Sequence, residues 1–342
     1  MTARRLPAEW EPQSGIMLTW PHTASDWKPI LTQVEPVFVE ICRHTSRHEK
    51  VVIVCFDQNH RHAIHALLTN HPVNMANVVF AIANSNDSWA RDHGAISVWD
   101  NKQLLLLDFQ FNAWGGKYES SLDNAINSKL YQQGIFKADI EPVSFVLEGG
   151  SIESDGQGTL LTTQCLLQST RNPGMNQHQI ESMLADHLGV QRVLWLQHGE
   201  LSGDDTDAHI DTLARFVSPT GIVYVKCENT RDEHFSNLQA MENELNQLRT
   251  VDNSAYQLFP LPLPDPVYNA SGQRLPATYA NFLIINNAVL LPVYQQNKDS
   301  LAIEVLKECF PDREIIPINC LPLVHQFGSL HCVTMQFPLG IL

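Results

Sequence analysis

The stretch Ala95-Ile96-Ser97-Val98-Trp99-Asp100-Asn101-Lys102-Gln103-Leu104-Leu105-Leu106-Leu107-Asp108-Phe109 reads as two strands joined by a tight turn. Asp100-Asn101 supplies the turn chemistry, because Asn and Asp tolerate the left-handed backbone that two-residue hairpin turns demand. A second stretch, ANFLIINNAVLLPV at residues 280–293, has the same form and turns at Asn286-Asn287. These hairpins decide the fold class, because of what surrounds them. Outside them, an amphipathic helix followed by an apolar strand recurs five times. The helices are expected at Trp27 to His48, Asn59 to Thr69, Asn176 to Gly189, His234 to Arg249, and from Asp299 to just before Pro311. The strands that follow are VVIVCF from Val51, VVFAIA from Val78, VLWL from Val193, YQLFPL from Tyr256 and EIIPI from Glu314. Asn176 and Asp299 are suited to cap their helices, and Gly189 to stop one. Five helix–strand units predict an α/β protein. A doubly wound parallel sheet would show fewer hairpins, so each unit is expected to be mixed: two antiparallel strands plus a helix–strand pair. No linker interrupts the chain, and residues 1–342 are expected to form a single domain of several similar modules.

Composition narrows the function. The chain has 22 Lys and Arg against 37 Asp and Glu, a formal charge of −15. That balance argues against a nucleic-acid groove and suits a cationic ligand steered by a negative field. No apolar run approaches the roughly 20 residues of a spanning helix. The opening MTARRLPAEWEPQSG has no apolar core of the kind a signal peptide carries, so a soluble cytoplasmic protein is expected. Seven cysteines, with no C-x-x-C pair, make neither a disulfide framework nor a zinc ribbon. Most sit in apolar company and read as core, while one could be a nucleophile. A homo-oligomer is compatible with the sequence.

Four short motifs carry candidate chemistry: NDSWARDHG at residues 86–94, LEGG at 147–150, GDDTDAHID at 203–211 and GSLHCVT at 328–334. Taking Asp92, Glu148, His209 and Cys332 as markers, the gaps are 56, 61 and 123 residues. The last is about twice the others, and ATYANFLIIN around Asn281 falls in the vacant slot. Five modules, each presenting one loop to a common centre, fit this spacing. The four carboxylates of GDDTDAHID invite two readings. Asp and His ligate divalent cations, which would make the stretch the centre of a metal-dependent hydrolase; the EF-hand register is missing. Alternatively the carboxylates grip a cationic substrate. Two carboxylates facing Cys332 would suppress its thiolate, and a bound guanidinium would remove that penalty. A guanidinium also matches carboxylates in bidentate geometry. With a histidine to protonate departing ammonia and then draw a proton from water, Cys, His and three carboxylates suffice for guanidine hydrolysis. A catalytically silent polyamine-binding protein would keep the same pocket.

The ordered set NDSWARDHG, FNAWGGKY, VLEGGSI, TLLTT, RNP, GDDTDAHID and GSLHCVTMQFP resembles the agmatine deiminase family, also called porphyromonas-type peptidylarginine deiminase. The opening LPAEWEPQSGIMLTWPHTASDW resembles that family's start, so the likeness spans Leu6 to Pro338. It implies a five-bladed α/β propeller, or pentein, of ββαβ-type modules. It implies a nucleophile at Cys332, forming an amidino-thioether, and a general acid and base at His209. Asp92 and Asp211 would clamp the guanidinium, Glu148 would orient His209, and Trp89 would line the slot. No metal or other cofactor is implied, and the substrate would be agmatine, hydrolysed to N-carbamoylputrescine and ammonia. Agmatine carries a distal amine where arginine carries an α-amino acid. Asp205 or Asp207 is the expected partner of that amine. One departure stands out: the family's glycine-rich GGGNIHC run is here Phe327-Gly328-Ser329-Leu330-His331-Cys332, preceded by Gln326. It leaves arginine and peptidyl-arginine open as substrates.

Overall fold

The computed structural model describes residues 4–342. Five mixed sheets share one internal plan. In each, an antiparallel pair is extended on one side by a parallel strand, and a helix makes the crossover. The pairs are Ile96–Asp100 with Gln103–Gln110, Ile152–Ser154 with Thr159–Thr163, Ala214–Ser218 with Gly221–Lys226, and Leu283–Ile285 with Ala288–Val293. Their parallel partners are Asp139–Val146, Arg192–Leu196, Gln257–Pro262 and Glu314–Asn319. The crossover helices are Ile126–Gln132, Gln177–Leu188, Phe235–Gln247 and Lys298–Cys309. The fifth sheet takes its antiparallel pair from opposite ends of the chain: Thr334–Pro338 pairs with Gln13–Thr19. Parallel strands Lys50–Cys55 and Val78–Ile82 follow, through helices Leu31–Thr45 and Gln58–Thr69. The mixed modules expected from the hairpins are therefore present.

Strands buried on both faces explain the continuous apolar runs. Along Lys50–Cys55, Val51 and Ile53 enter one hydrophobic core, while Val52 and Val54 enter a second. Period-2 alternation thus feeds two cores from one strand. Asn176 caps its helix with a full capping box, its side chain taking the Gln179 N–H, and Gly189 ends it at φ 71°. Two local expectations shift. The first hairpin turns on Asn101-Lys102, with φ of 48° and 75°, because Asp100 is still paired with Gln103. The helix assigned to an Asp299 cap starts after Asn297. Asp299 instead takes the N–H groups of Tyr294 and Gln296 and the Tyr279 hydroxyl, pinning the loop before the helix. No described helix is long and apolar enough to cross a membrane.

Candidate active site

Each sheet sends one loop to a common cluster, just before its first antiparallel strand. Asp92 precedes Ile96, Glu148 precedes Ile152, His209 and Asp211 precede Ala214, Asn281 precedes Leu283, and Cys332 precedes Thr334. The slot left vacant by the sequence spacing is filled by Asn281. Its side-chain oxygen accepts from the backbone N–H of His331 at 2.9 Å and lies 3.3 Å from the Cys332 sulfur. Its side-chain nitrogen donates to Asp211 Oδ2 at 3.2 Å. One amide therefore ties the thiol to a carboxylate.

His209 is buried between Asp92, 3.6 Å from Nδ1, and Glu148, 3.4 Å from Nε2. Burial alone pulls the imidazole pKa down, but the two carboxylates outweigh it and raise it to about 9. Asp92 accepts from the Gly150 N–H at 3.0 Å and from the Trp114 indole at 3.0 Å. Burial nevertheless lifts its carboxyl to about 6. Glu148, also buried, is held below the usual carboxylate range by His209 and Arg171; the Arg171 Nε lies 2.9 and 2.8 Å from its two oxygens. Asp211 takes the His331 Nδ1 at 2.7 Å on Oδ2, while its buried Oδ1 has no partner. Burial, then Asp211 and Asp92, push the Cys332 thiol well above the ordinary range. Burial and the facing carboxylates of Asp211 and Asp92 thus all favour the Cys332 thiol over the thiolate.

These groups meet over Gly150. A Cβ there would stand 2.7 Å from His209 Nδ1, 2.8 Å from Asp92 Oδ1 and 3.2 Å from Asp211 Oδ2, so only glycine lets the three converge. Above them opens a cleft of about 270 Å³ that reaches Cys332 and Asp92. Its aromatic walls are Trp89, Phe111, Trp114, Tyr118 and Phe327. Trp114 is aimed at Asp92 by a strained turn, since Ala113 and Trp114 both have positive φ, 49° and 57°. Gly328 lies flat against Trp89; a Cβ there would come within 2.2 Å of the indole. His209, Glu148 and Asp211 are buried, and His209 and Asp211 meet the cleft residue Asp92 over Gly150.

A family model described as Porphyromonas-type peptidyl-arginine deiminase matches residues 5–338. The chain belongs to this family. An agmatine deiminase of Stutzerimonas stutzeri is 31% identical, aligned over 97% of this chain and 95% of its own. Among solved structures, a C. jejuni agmatine deiminase with substrate bound is 38% identical at a TM-score of 0.92, covering 100% of this chain and 98% of that one. A Porphyromonas gingivalis chain, provisionally called an arginine deiminase, is 48% identical at a TM-score of 0.94, covering 99% of both chains.

Within this member of the deiminase family, the acidic stretch 203–211 does not act as one unit. Asp204 is half-buried and accepts from Thr206 and Ala208 inside its own loop. Asp205 lines the cleft, held at 2.5 Å by the Tyr118 hydroxyl. Asp207 is not among the side chains that line the cleft. Its two oxygens are taken by Lys117 at 3.0 Å and Arg171 at 2.8 Å, and it steadies the Arg171–Glu148 pair from behind. With Asp204 and Asp207 so committed, the stretch does not form a metal-ligand set. The group among the described residues with ligand-like spacing is Glu9, Glu153 and His331, and the Arg215 guanidinium donates to both carboxylates and lies 3.0 Å from His331 Nε2.

Sequence reasoning assigned no role to Arg171, Trp114, Asn281, Glu9, Arg215 or His331. Arg171 and Trp114 lie within the family-like runs RNP and FNAWGGKY, so a signal existed without a role attached to it. Glu9 and Arg215 meet at 2.8 Å across 206 residues of chain, and no local pattern announces such a pair.

Proposed function

We propose that the protein is an agmatine deiminase, hydrolysing agmatine to N-carbamoylputrescine and ammonia through a covalent intermediate on Cys332. The observation that carries the substrate choice is the cleft lining. Seven of the lining side chains are acidic, Asp26, Asp87, Asp92, Glu119, Asp123, Asp204 and Asp205, and none is Lys or Arg. A dication with a guanidinium at one end and an amine at the other suits such walls. Free arginine would bring a carboxylate with no cationic partner among the lining residues. The names of the agmatine deiminase relatives support the same choice.

In the proposed reaction the guanidinium enters between Asp92 and Asp211, with its plane against Trp89. Its charge offsets the repulsion between the thiolate and the carboxylates, so Cys332 loses its proton to solvent as the guanidinium binds and recovers one from solvent when the product leaves. Sulfur then bonds to the central carbon. Protonated His209 gives its proton to the departing nitrogen, which leaves as ammonia, and an amidino-thioether remains. Neutral His209 next draws a proton from water, whose oxygen bonds to the same carbon. The carbon–sulfur bond breaks, the ureido product forms, and the proton it sheds ends on ammonia. Glu148, braced by Arg171, keeps the imidazole aligned and charged. We further read the five sheets as blades of one closed ring in a single domain; the pairing of Thr334–Pro338 with Gln13–Thr19 supports closure.

Side-by-side turnover of agmatine, arginine and amino-blocked arginine, followed by ureido colour detection, tests the proposal. Agmatine is expected to exceed arginine in kcat/KM by at least about tenfold, the cost of one uncompensated charge in a partly buried acidic cleft. Arginine turned over as well as agmatine would overturn the substrate assignment.

A further inference from the structure

His331 adjoins the nucleophile in sequence, yet its ring does not line the cleft. It bridges two carboxylates instead. Nδ1 lies 2.7 Å from Asp211 Oδ2, and Nε2 lies 2.8 Å from Glu9 Oε2. Glu9 is fixed in turn. Its Oε1 accepts the Ile284 N–H at 2.8 Å, and its Oε2 also accepts from Arg215 at 2.8 Å. Arg215 is anchored by Glu153 and by the carbonyl of Phe282. His331 and Arg215 approach to 3.0 Å because both serve the same Glu9 oxygen. A rigid buried chain thus runs from the N-terminal segment to Asp211, ending on Oδ2 and leaving Oδ1 without a partner.

We propose that Glu9 and His331 are positioning residues for the deiminase reaction: Glu9 fixes the imidazole, and the imidazole turns Asp211 so that its free oxygen is presented to the guanidinium. This rests on the assignment of Asp211 as a guanidinium clamp. A carboxylate held by one donor on one oxygen cannot rotate without losing that bond. Asn281 alone, at 3.2 Å, is a longer tether. The segment around Glu9 thereby enters substrate affinity without touching substrate.

Five variants of the 342-residue chain, with kcat and KM for agmatine and thermal midpoints measured together, test the role. The side-chain nitrogen of Asn can stand at the Nδ1 position of His, whereas that of Gln reaches towards the Nε2 position. His331→Ala and His331→Gln are expected to raise KM on the order of tenfold, the size of one charge-assisted hydrogen bond, with a smaller change in kcat. His331→Asn should restore most of that loss, because it returns a donor to Asp211. A packing role would move Asn and Gln variants alike, so equal KM changes overturn the proposal. Asp211→Asn separates the levels. If it binds agmatine as the parent protein does, the clamp assignment and the positioning role fall together. If it loses agmatine while His331→Asn and His331→Gln match each other, only the positioning role falls. Should the His331 variants fail to fold, Glu9→Gln decides. An increase in KM on the order of tenfold in folded protein upholds the inference, and an unchanged KM overturns it.

Discussion

Two clusters of buried carboxylates meet at His331, and they differ in whether a guanidinium already occupies them. In one, Glu9 and Glu153 surround Arg215, which also donates to the Phe282 carbonyl at 2.6 Å and lies 4.6 Å above the Phe282 ring. Burial opposes the charge on Glu9, but Arg215, His331 and Arg91 outweigh it and hold that carboxyl far below its ordinary range. In the other, Asp92, Asp211 and Glu148 surround His209 beside Cys332, with an aromatic cleft above. There burial lifts Asp92 to about 6 and the thiol well above its usual range, and Asp211 keeps an oxygen without a partner. On the proposed function the protein holds a planar cation the same way twice, with acids at its edges and a ring at its face. One copy is filled by its own chain. The other is short of positive charge, a deficit that the proposed cationic substrate would relieve.

The sharpest way to break this contrast is to disable each cluster in turn. Cys332→Ala should cut deimination by about 10³-fold or more, since removing a nucleophile removes the covalent route. Its unfolding free energy should stay within about 1 kcal/mol of the parent, because only a sulfur atom is lost. Arg215→Met should do the reverse in kind: it leaves Glu9 and Glu153 buried without their cation, which costs about 3–5 kcal/mol in denaturant unfolding. If Arg215→Met were as stable as the parent, the filled cluster would not be the structural half of the pair.

Much of the frame behind these clusters could be read from the chain, and the reasons for the gaps are physical. Hairpins at 95–109 and 280–293 announce themselves, because strand alternation and turn residues are local. So does the Asn176 cap, whose partner Gln179 is three residues away. Asp92, Glu148, His209 and Cys332 stand out because reactive residue types cluster in short loops, and the doubled gap marks the missing Asn281. Arg215 and Glu9 leave no such trace: an ion pair across 206 residues has no periodicity. The left-handed turn at Ala113-Trp114 is equally hidden, since neither residue type prefers positive φ. The partners of Asp207 are hidden too, for Lys117 and Arg171 reach it from other loops.

Charge deficit in the open cluster predicts a pH dependence of binding that the filled cluster does not share. In Cys332→Ala protein, where thiol ionisation is removed, agmatine affinity measured by calorimetry should fall only gently near neutrality, as Asp123 in the cleft wall, raised to about 7 by burial, takes up its proton. Asp92, raised to about 6 mainly by burial, gains a proton as pH falls through that value and loses the charge that faces the guanidinium. Affinity should therefore drop by about tenfold per unit below about pH 6. A Kd unchanged down to pH 4 would place Asp92 outside the clamp.

The smallest expected effect concerns the far end of the cleft, where the two halves of one acidic loop divide their roles. Asp205 lines the cleft, but its side chain is 33% exposed and stands 3.6 Å from Lys117 Nζ, so its attraction for a substrate amine is weakened by water and by that partner. Asp205→Asn should raise KM for agmatine about two- to fivefold, the range of a solvated ion pair. An alkylguanidine of equal length without the amine should be unaffected. Asp207→Asn acts through another route, by loosening Arg171 behind Glu148 and hence His209. It should slow both substrates alike, in kcat more than in KM. The ratio of agmatine to alkylguanidine therefore separates the residues: it falls for Asp205→Asn and holds for Asp207→Asn. If Asp205→Asn left that ratio unchanged, the amine would have to be met by another of the acidic side chains that line the cleft.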